Sequence, residues 1–442
     1  MFTKRQIWAL LVPLMIEQVL TSFMGTADTM MVSHAGSAAI SAVALVDSVN
    51  ILVIYIFAAM ATGGTILCSQ YIGSGQQDKA NHIGKQLAVT VAILASALML
   101  LCVIFRSPLL RLIFGQVEAD VMVNAEIYFL ITAISYPFIA LYNAGAALFR
   151  ASGNSKLPMQ VSTVSNILNI IGNAVMIFGF QKGVAGAAFA TLLSRIFCAF
   201  VILYFLRKPN QVIVVRDYFH IRLDMDAVFR ILKVGIPNGV ENGMFQFGKV
   251  AIQSTVSTMG TVAIAAQAMA ASLEALASNA AMGIGLGMMT IVGQCIGAGR
   301  KEEARRYIIQ LTWYAEISLI ICCALMACTV RLVTRLAGME PAAADLTCEL
   351  IYIISVVKAF IWVFSFIPAY GMRGAGDVRF SMILTMSTMW SCRVLIVVIL
   401  ARCFGFGPIA VWIGMFMDWG VRGALFTWRF FSGKWMEKRV SL

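Results

Sequence analysis

Twelve stretches of apolar residues, each long enough to cross a bilayer, follow one another along this 442-residue chain and leave little of it for anything else. They run roughly over 7–32, 38–68, 86–105, 124–148, 160–180, 184–206, 228–256, 264–292, 308–328, 347–370, 380–401 and 408–430, punctuated by Gly, Pro, Lys and Arg. A membrane-spanning helix needs about 20 such residues. In lipid every backbone N–H and C=O must find its partner inside the span, which a helix provides. Hydrophobic residues make up 60% of the chain and charged residues 12%, well outside the composition of soluble domains. The sequence therefore reads as an all-α polytopic membrane protein of twelve transmembrane helices.

A net charge of +12 would suit a nucleic-acid partner if it formed one stripe, but the basic residues are spread over the short connections. Twenty Lys and Arg fall at the termini and in the even-numbered connections, and six in the odd-numbered ones. Basic residues accumulate on the cytoplasmic side, so both termini are expected in the cytoplasm and the protein in the plasma (inner) membrane, with no nucleic-acid partner. The first apolar stretch is too long for a cleavable signal peptide. The ten cysteines lie mostly inside apolar stretches without a CxxC pair, and read as reduced, small apolar residues. His34, His82 and His220 are isolated from other ligand types, which argues against a structural metal. The glycines of 70–75 and 294–299 follow no strand, and no GxxxxGK[ST] motif is present, so no ATP site and no enzyme chemistry is read here.

The chain also repeats itself at an offset of about 224 residues. Pro13 and Glu17 match Pro237 and Glu241. VSHAGSAAISAVAL from Val32 matches VSTMGTVAIAAQAM from Val256, SQYIGSGQQDKA from Ser69 matches GQCIGAGRKEEA from Gly293, and after a one-residue slip FRASGNSKLPM from Phe149 matches MRGAGDVRFSM from Met372. Six helices per copy is an even number, so both copies enter the membrane from the same side. The repeat therefore predicts two six-helix bundles, 1–206 and 228–442, related by a parallel pseudo-two-fold axis and joined by a cytoplasmic linker over 207–227. Such a pair can enclose a central cavity and rock about it.

Ionisable residues inside spans are costly and ask for a reason. Glu17 and Asp28 share the first span, and their spacing of eleven residues brings them within about 20° of one helical face. In the fifth span Asn166, Asn169 and Asn173 stack amides on one face, and Thr191 of the sixth offers a hydroxyl. Oxygens of this kind beside one carboxylate suit a hard cation or a titrating carboxyl, although asparagines also tie helices together. Glu17 and, in the second copy, Glu241 and Glu274 are candidates for the cavity wall, and Asp418 and Arg422 are spaced to pair along one helix. Met282, Met288 and Met289, with Phe245 and Phe247, suit an adaptable apolar wall. Arg195, Lys249, Lys358 and Arg393 are further charges within spans.

In their order and spacing, the early proline, DTMMVSHAGSAAISAVAL, SQYIGSGQ, ALFRASGNSKLPM, LNIIGNAVMIFGF and GVAGAAFAT resemble the multidrug and toxic compound extrusion (MATE) family over essentially the whole chain. The resemblance implies a twelve-helix antiporter, a monomer without a cofactor, exporting cationic amphipathic small molecules in exchange for protons or sodium ions. It implies that Asp28 carries or coordinates the coupling ion and that Asn169 and Thr191 belong to the same site. Asn173 stands where many members have an acid. A flippase for an amphipathic lipid-linked precursor, for which Arg195, Lys249 and Arg393 speak, and a non-transporting receptor or channel are the alternative readings.

Overall fold

The computed structural model describes residues 1–34, 36–115, 118–216 and 222–437, leaving out the side chains of Thr26, Thr29, Ser33 and Ser37. His220 and the basic Lys438 and Arg439 lie outside the described residues.

Twelve helical spans follow in the order read from the sequence: α1 (Lys4–Ser33), α2 (Ser37–Gly73), α3 (Gln77–Ile104), α4 (119–151), α5 (Lys156–Gly179), α6 (Gly183–Leu206), α7 (Met225–Val256), α8 (Thr261–Gly297), α9 (Lys301–Leu336), α10 (Pro341–Ala375), α11 (Val378–Arg402) and α12 (Ile409–Phe431). Ten of them are single helices apolar and long enough to cross a bilayer, and α4 passes as a bent pair. The remaining helix, α7, is 32 residues long but more polar, and occupies in the second half the place of α1 in the first.

The periodicity reads 124–148 as one helix, whereas α4 is two, Ala119–Ile134 and Tyr136–Ala151, bent by 44° at Ser135. Pro137 in the first turn of the second half lacks an N–H and crowds the preceding turn, so the helix restarts there. The end of α5 and the middle of α11 widen into π turns over Ala174–Gly179 and Met389–Val394. A short helix, Arg106–Phe114, joins α3 to α4.

The helices pack as two bundles of six, and the leading helix of each also reaches into the other. Ile7, Leu10, Leu11 and Leu14 of α1 lie in one core with α8–α12, while Ala227 and Ile231 of α7 lie in the core of α2–α6. Accordingly α1 packs on α8 and α2 on α7, two contacts that exchange under the repeat, with α2 against α8 near the axis. Hydrophobicity does not separate protein neighbours from lipid, so close approach through small residues holds this junction. A Cβ on Gly73 would stand 2.0 Å from the Gln294 carbonyl oxygen, and one on Gly297 would stand 2.0 Å from that of Gln70. These are the same contact seen twice across the axis. Beyond it the α2–α3 and α8–α9 turns use Gly75 and Gly299, with φ of 76° and 75°.

Both described ends of the chain lie on this side. The Met1 amino group reaches Glu303 at the start of α9, Arg305 covers the Phe430 ring, and the 207–216 segment is held by Gln77, which donates to the Val212 carbonyl at 2.6 Å.

Candidate functional site

In the first bundle the four residues singled out around α1, α5 and α6 form one unbroken chain of hydrogen bonds. Asn173 donates through Nδ2 to the Asp28 carboxylate and to Asn169 Oδ1 at 3.2 Å, and Asn169 Nδ2 donates to Thr191 Oγ1 at 3.2 Å. The three- and four-residue spacing along α5 puts the amides on the face toward α1 and α6; Asn166, a turn earlier, takes no part in this chain. Among the described residues Asn173 Oδ1 is buried without a partner, an oxygen beside a carboxylate that a cation would satisfy.

Further polar residues surround it, among them the span charges Asp47 and Arg195. Asp47 accepts from Asn50 at 3.1 Å and from the Tyr128 hydroxyl at 3.3 Å, Tyr136 donates to Asn50 at 2.8 Å, and Arg195 donates to Ser135 at 2.7 Å, beside the break in α4. Asp47 and Arg195 are the charged groups that act on Asp28. They stand on α2, α4 and α6, and only the fold shows which of these helices face one another.

A cavity of about 620 Å³ lies against the junction, lined by α2 and the second half of α4 on one side and by α7, α8, α10, α11 and α12 on the other. It belongs mainly to the second bundle and does not include Asp28. Glu241 and Glu274 line it, as do Phe245, Met282 and Met289, whereas Met288 is wholly buried and Phe247 faces outward. Glu17 is a correction to the expectation of a cavity acid. It is buried behind the wall, where Arg150 donates to it at 2.8 Å, and it is Arg150 and the neighbouring Gln18 that reach the cavity.

The ion pairs follow the repeat. Glu17–Arg150 joins α1 to α4, and Arg373 donates to Glu241 to join α7 to α10 in the equivalent place. A second set is found only in the second bundle. Lys358 is held by Glu274 and Ser278 and stands over Trp362, and Arg422 clamps Asp418 through 2.7 and 2.8 Å bonds. Both copies of the Glu–Arg pair are visible in the aligned repeat, since Glu17 and Arg150 recur at Glu241 and Arg373; that shared recurrence is the signal that would have paired them.

Two parallel bundles around a cavity at their junction, with charge buried inside the spans, are the build of a membrane transporter and not of an enzyme. The MatE family model matches residues 13–175 and again 237–399, one match per bundle at the repeat offset. The chain belongs to the MATE family of multidrug efflux transporters. It is 28% identical over 456 residues to a probable multidrug resistance protein NorM of Thermotoga maritima, which covers 99% of this chain and 94% of the relative. An uncharacterized transporter, YisQ of Bacillus subtilis, is 27% identical over 97% of this chain and 94% of its own. The fold overlays that of a multidrug resistance MATE transporter solved in an outward-facing conformation, with a TM-score of 0.91 at 20% identity over 98% of this chain and 96% of the other.

Proposed function

We propose that this protein is an antiporter that exports small amphipathic molecules by alternating access, driven by protons or sodium ions taken up at Asp28. The observation that carries the reading is the continuous chain from Asp28 through Asn173 and Asn169 to Thr191, in the first bundle and apart from the cavity. Separate places for ion and cargo let one exchange with the other through rocking of the bundles, with α1 and α7 as the levers that enter both cores. The exchange needs no cofactor beyond the coupling ion. The chain works as a monomer with bundles 1–206 and 228–442, the 207–227 linker and both termini on the cytoplasmic side of the inner membrane.

The family resemblance carries cationic cargo with it. In the cavity, however, Glu241 and Glu274 already hold their own basic partners, so neither is free to meet an organic cation.

The test is dye efflux from proteoliposomes under separately imposed proton and sodium gradients, wild type against Asp28→Asn. Asn preserves the shape and the bond from Asn173 but neither titrates nor carries charge, so gradient-driven export falls to background while the protein stays folded. Thr191→Ala separates the ions. Sodium coupling gives a large rise in the sodium concentration for half-maximal transport, because an oxygen ligand is lost, and proton coupling gives a modest effect. Full activity in Asp28→Asn refutes this placement of the coupling site.

A further inference from the structure

The cavity is unbalanced in charge, and the imbalance is local. Five basic side chains line it, Arg150, Lys249, Arg373, Arg393 and Arg422, against the two acids Glu241 and Glu274. The two acids that line it and two more beside it are committed: Glu241 to Arg373, Glu274 to Lys358, Glu17 to Arg150, and Asp418 to the two-pronged grip of Arg422. Two cations remain without a close acid among the described residues. Lys249 makes no ion pair among the described residues, and the charges that act on it are Arg393 and the already paired Glu274. Arg393 is buried, reaches Asp418 only at 3.9 Å, and has its Nε without an acceptor.

These two face the same ring. Lys249 Nζ lies 5.1 Å and the Arg393 guanidinium carbon 5.3 Å from the centroid of Phe245, which lines the cavity. The ring's negative faces offset part of the cost of holding two like charges in a low-dielectric setting, but an aromatic quadrupole does not neutralise them. A buried guanidinium with an idle donor calls for a planar anionic acceptor, which a carboxylate or phosphate supplies, and an ammonium beside it adds a point charge. Elsewhere on the same lining, Trp362, Phe366, Met282 and Met289 supply apolar surface, and the volume suits a drug-sized molecule.

We propose that the cavity binds an amphipathic organic anion, its carboxylate or phosphate held between Lys249 and Arg393 and its apolar body against Trp362, Phe366 and the methionines. This rests on the reading of the chain as an exporter and specifies the class of its cargo. An organic cation entering the same space meets surplus positive charge and no free carboxylate.

The experiment uses the full-length protein in phosphatidylcholine nanodiscs, titrated with carboxyfluorescein and separately with ethidium by fluorescence anisotropy against empty nanodiscs. Carboxyfluorescein is expected to bind at least about tenfold more tightly than ethidium. Lys249→Gln and Arg393→Gln should each weaken it by about tenfold or more, roughly the loss of one charge-assisted bond, while ethidium binding stays the same or tightens. Lys249→Arg should restore most of the loss, and unaltered thermal unfolding shows that the variants are folded. The same variants in proteoliposomes, assayed for dithionite protection of NBD-phosphatidylglycerol, identify the source of the anion. Flipping that is present in wild type and lost with carboxyfluorescein binding assigns a lipid headgroup; its absence, or its persistence in the variants, assigns a free anion. Absence of carboxyfluorescein binding, equal or tighter ethidium binding, or indifference to both substitutions overturns the proposal. Equilibrium binding needs no gradient, so Asp28→Asn should bind carboxyfluorescein normally even as it loses export. Failure of the coupling assignment would thus show in transport alone, and failure of the anion assignment in binding.

Discussion

A single buried carboxylate in a span destabilises the fold unless something meets it, and Glu17 shows how this chain meets one. Its side chain is 6% exposed and its partner Arg150 is 22% exposed, so the pair lies at the cavity edge with the acid inside. Removing only the cation leaves that acid uncompensated. We expect Arg150→Ala to lower stability by about 3–5 kcal/mol, read as a large drop in melting temperature in detergent, and Glu17→Gln combined with Arg150→Gln to recover most of it. Arg373→Ala should behave alike through Glu241. Equal stability of Arg150→Ala and wild type would mean that the pair contributes nothing. Asp28 differs in kind: among the described residues it makes no ion pair, its contact being an amide from Asn173 with Arg195 acting at longer range, as suits a group that must take up and release an ion.

At the scale of the helix, what matters is how closely α2 and α8 approach. Each presents a glycine to the other's backbone carbonyl, Gly73 to Gln294 and Gly297 to Gln70, at a distance no side chain tolerates. The junction is then extended by Gln70, which donates to the Gly374 carbonyl at 3.1 Å, and by Gln294, which donates to that of Ala151 at 2.7 Å. Gly73→Val and Gly297→Val should each force the helices apart, lowering the melting temperature and exposing cysteines introduced along the seam to aqueous thiol reagents. Since the contact is doubled by the repeat, the two variants should have similar effects, and a neutral Gly297→Val would show that the approach is slack. The bend in α4 belongs to the same scale, because it places Ser135 where it accepts from Arg195.

At the scale of the whole molecule the prediction concerns sidedness. With twenty basic residues at the termini and even-numbered connections against six elsewhere, cysteines placed at Asn210 and Gln76 should be labelled from the cytoplasm and one at Lys182 from outside. The measurement needs a background without the ten native cysteines, all of which are free, Cys328 and Cys403 being exposed. Labelling of Asn210 from outside would reverse the topology and with it the direction of transport.

Much of this architecture is carried by local chemistry that a sequence displays directly. The length of each apolar stretch determines that it spans, the parity of six determines that the halves are parallel, and the spacing of Asn169 and Asn173 determines that their amides share a face. The grouping of Asp28 with Asn169 and Thr191 came from the family resemblance, since periodicity along one helix does not show which other helix it touches. What remained hidden were the partners: Arg150 for Glu17, Lys358 for Glu274, the bend at Ser135 that brings in Arg195, and the location of the cavity in the second bundle with Lys249 and Arg393 left over. Those depend on which helix faces which, and in lipid an apolar surface is as well served by an acyl chain as by another helix. The choice of neighbour is made by small residues and buried charges meeting across the assembled bundles, and a distance between two helices exists only once both have been placed.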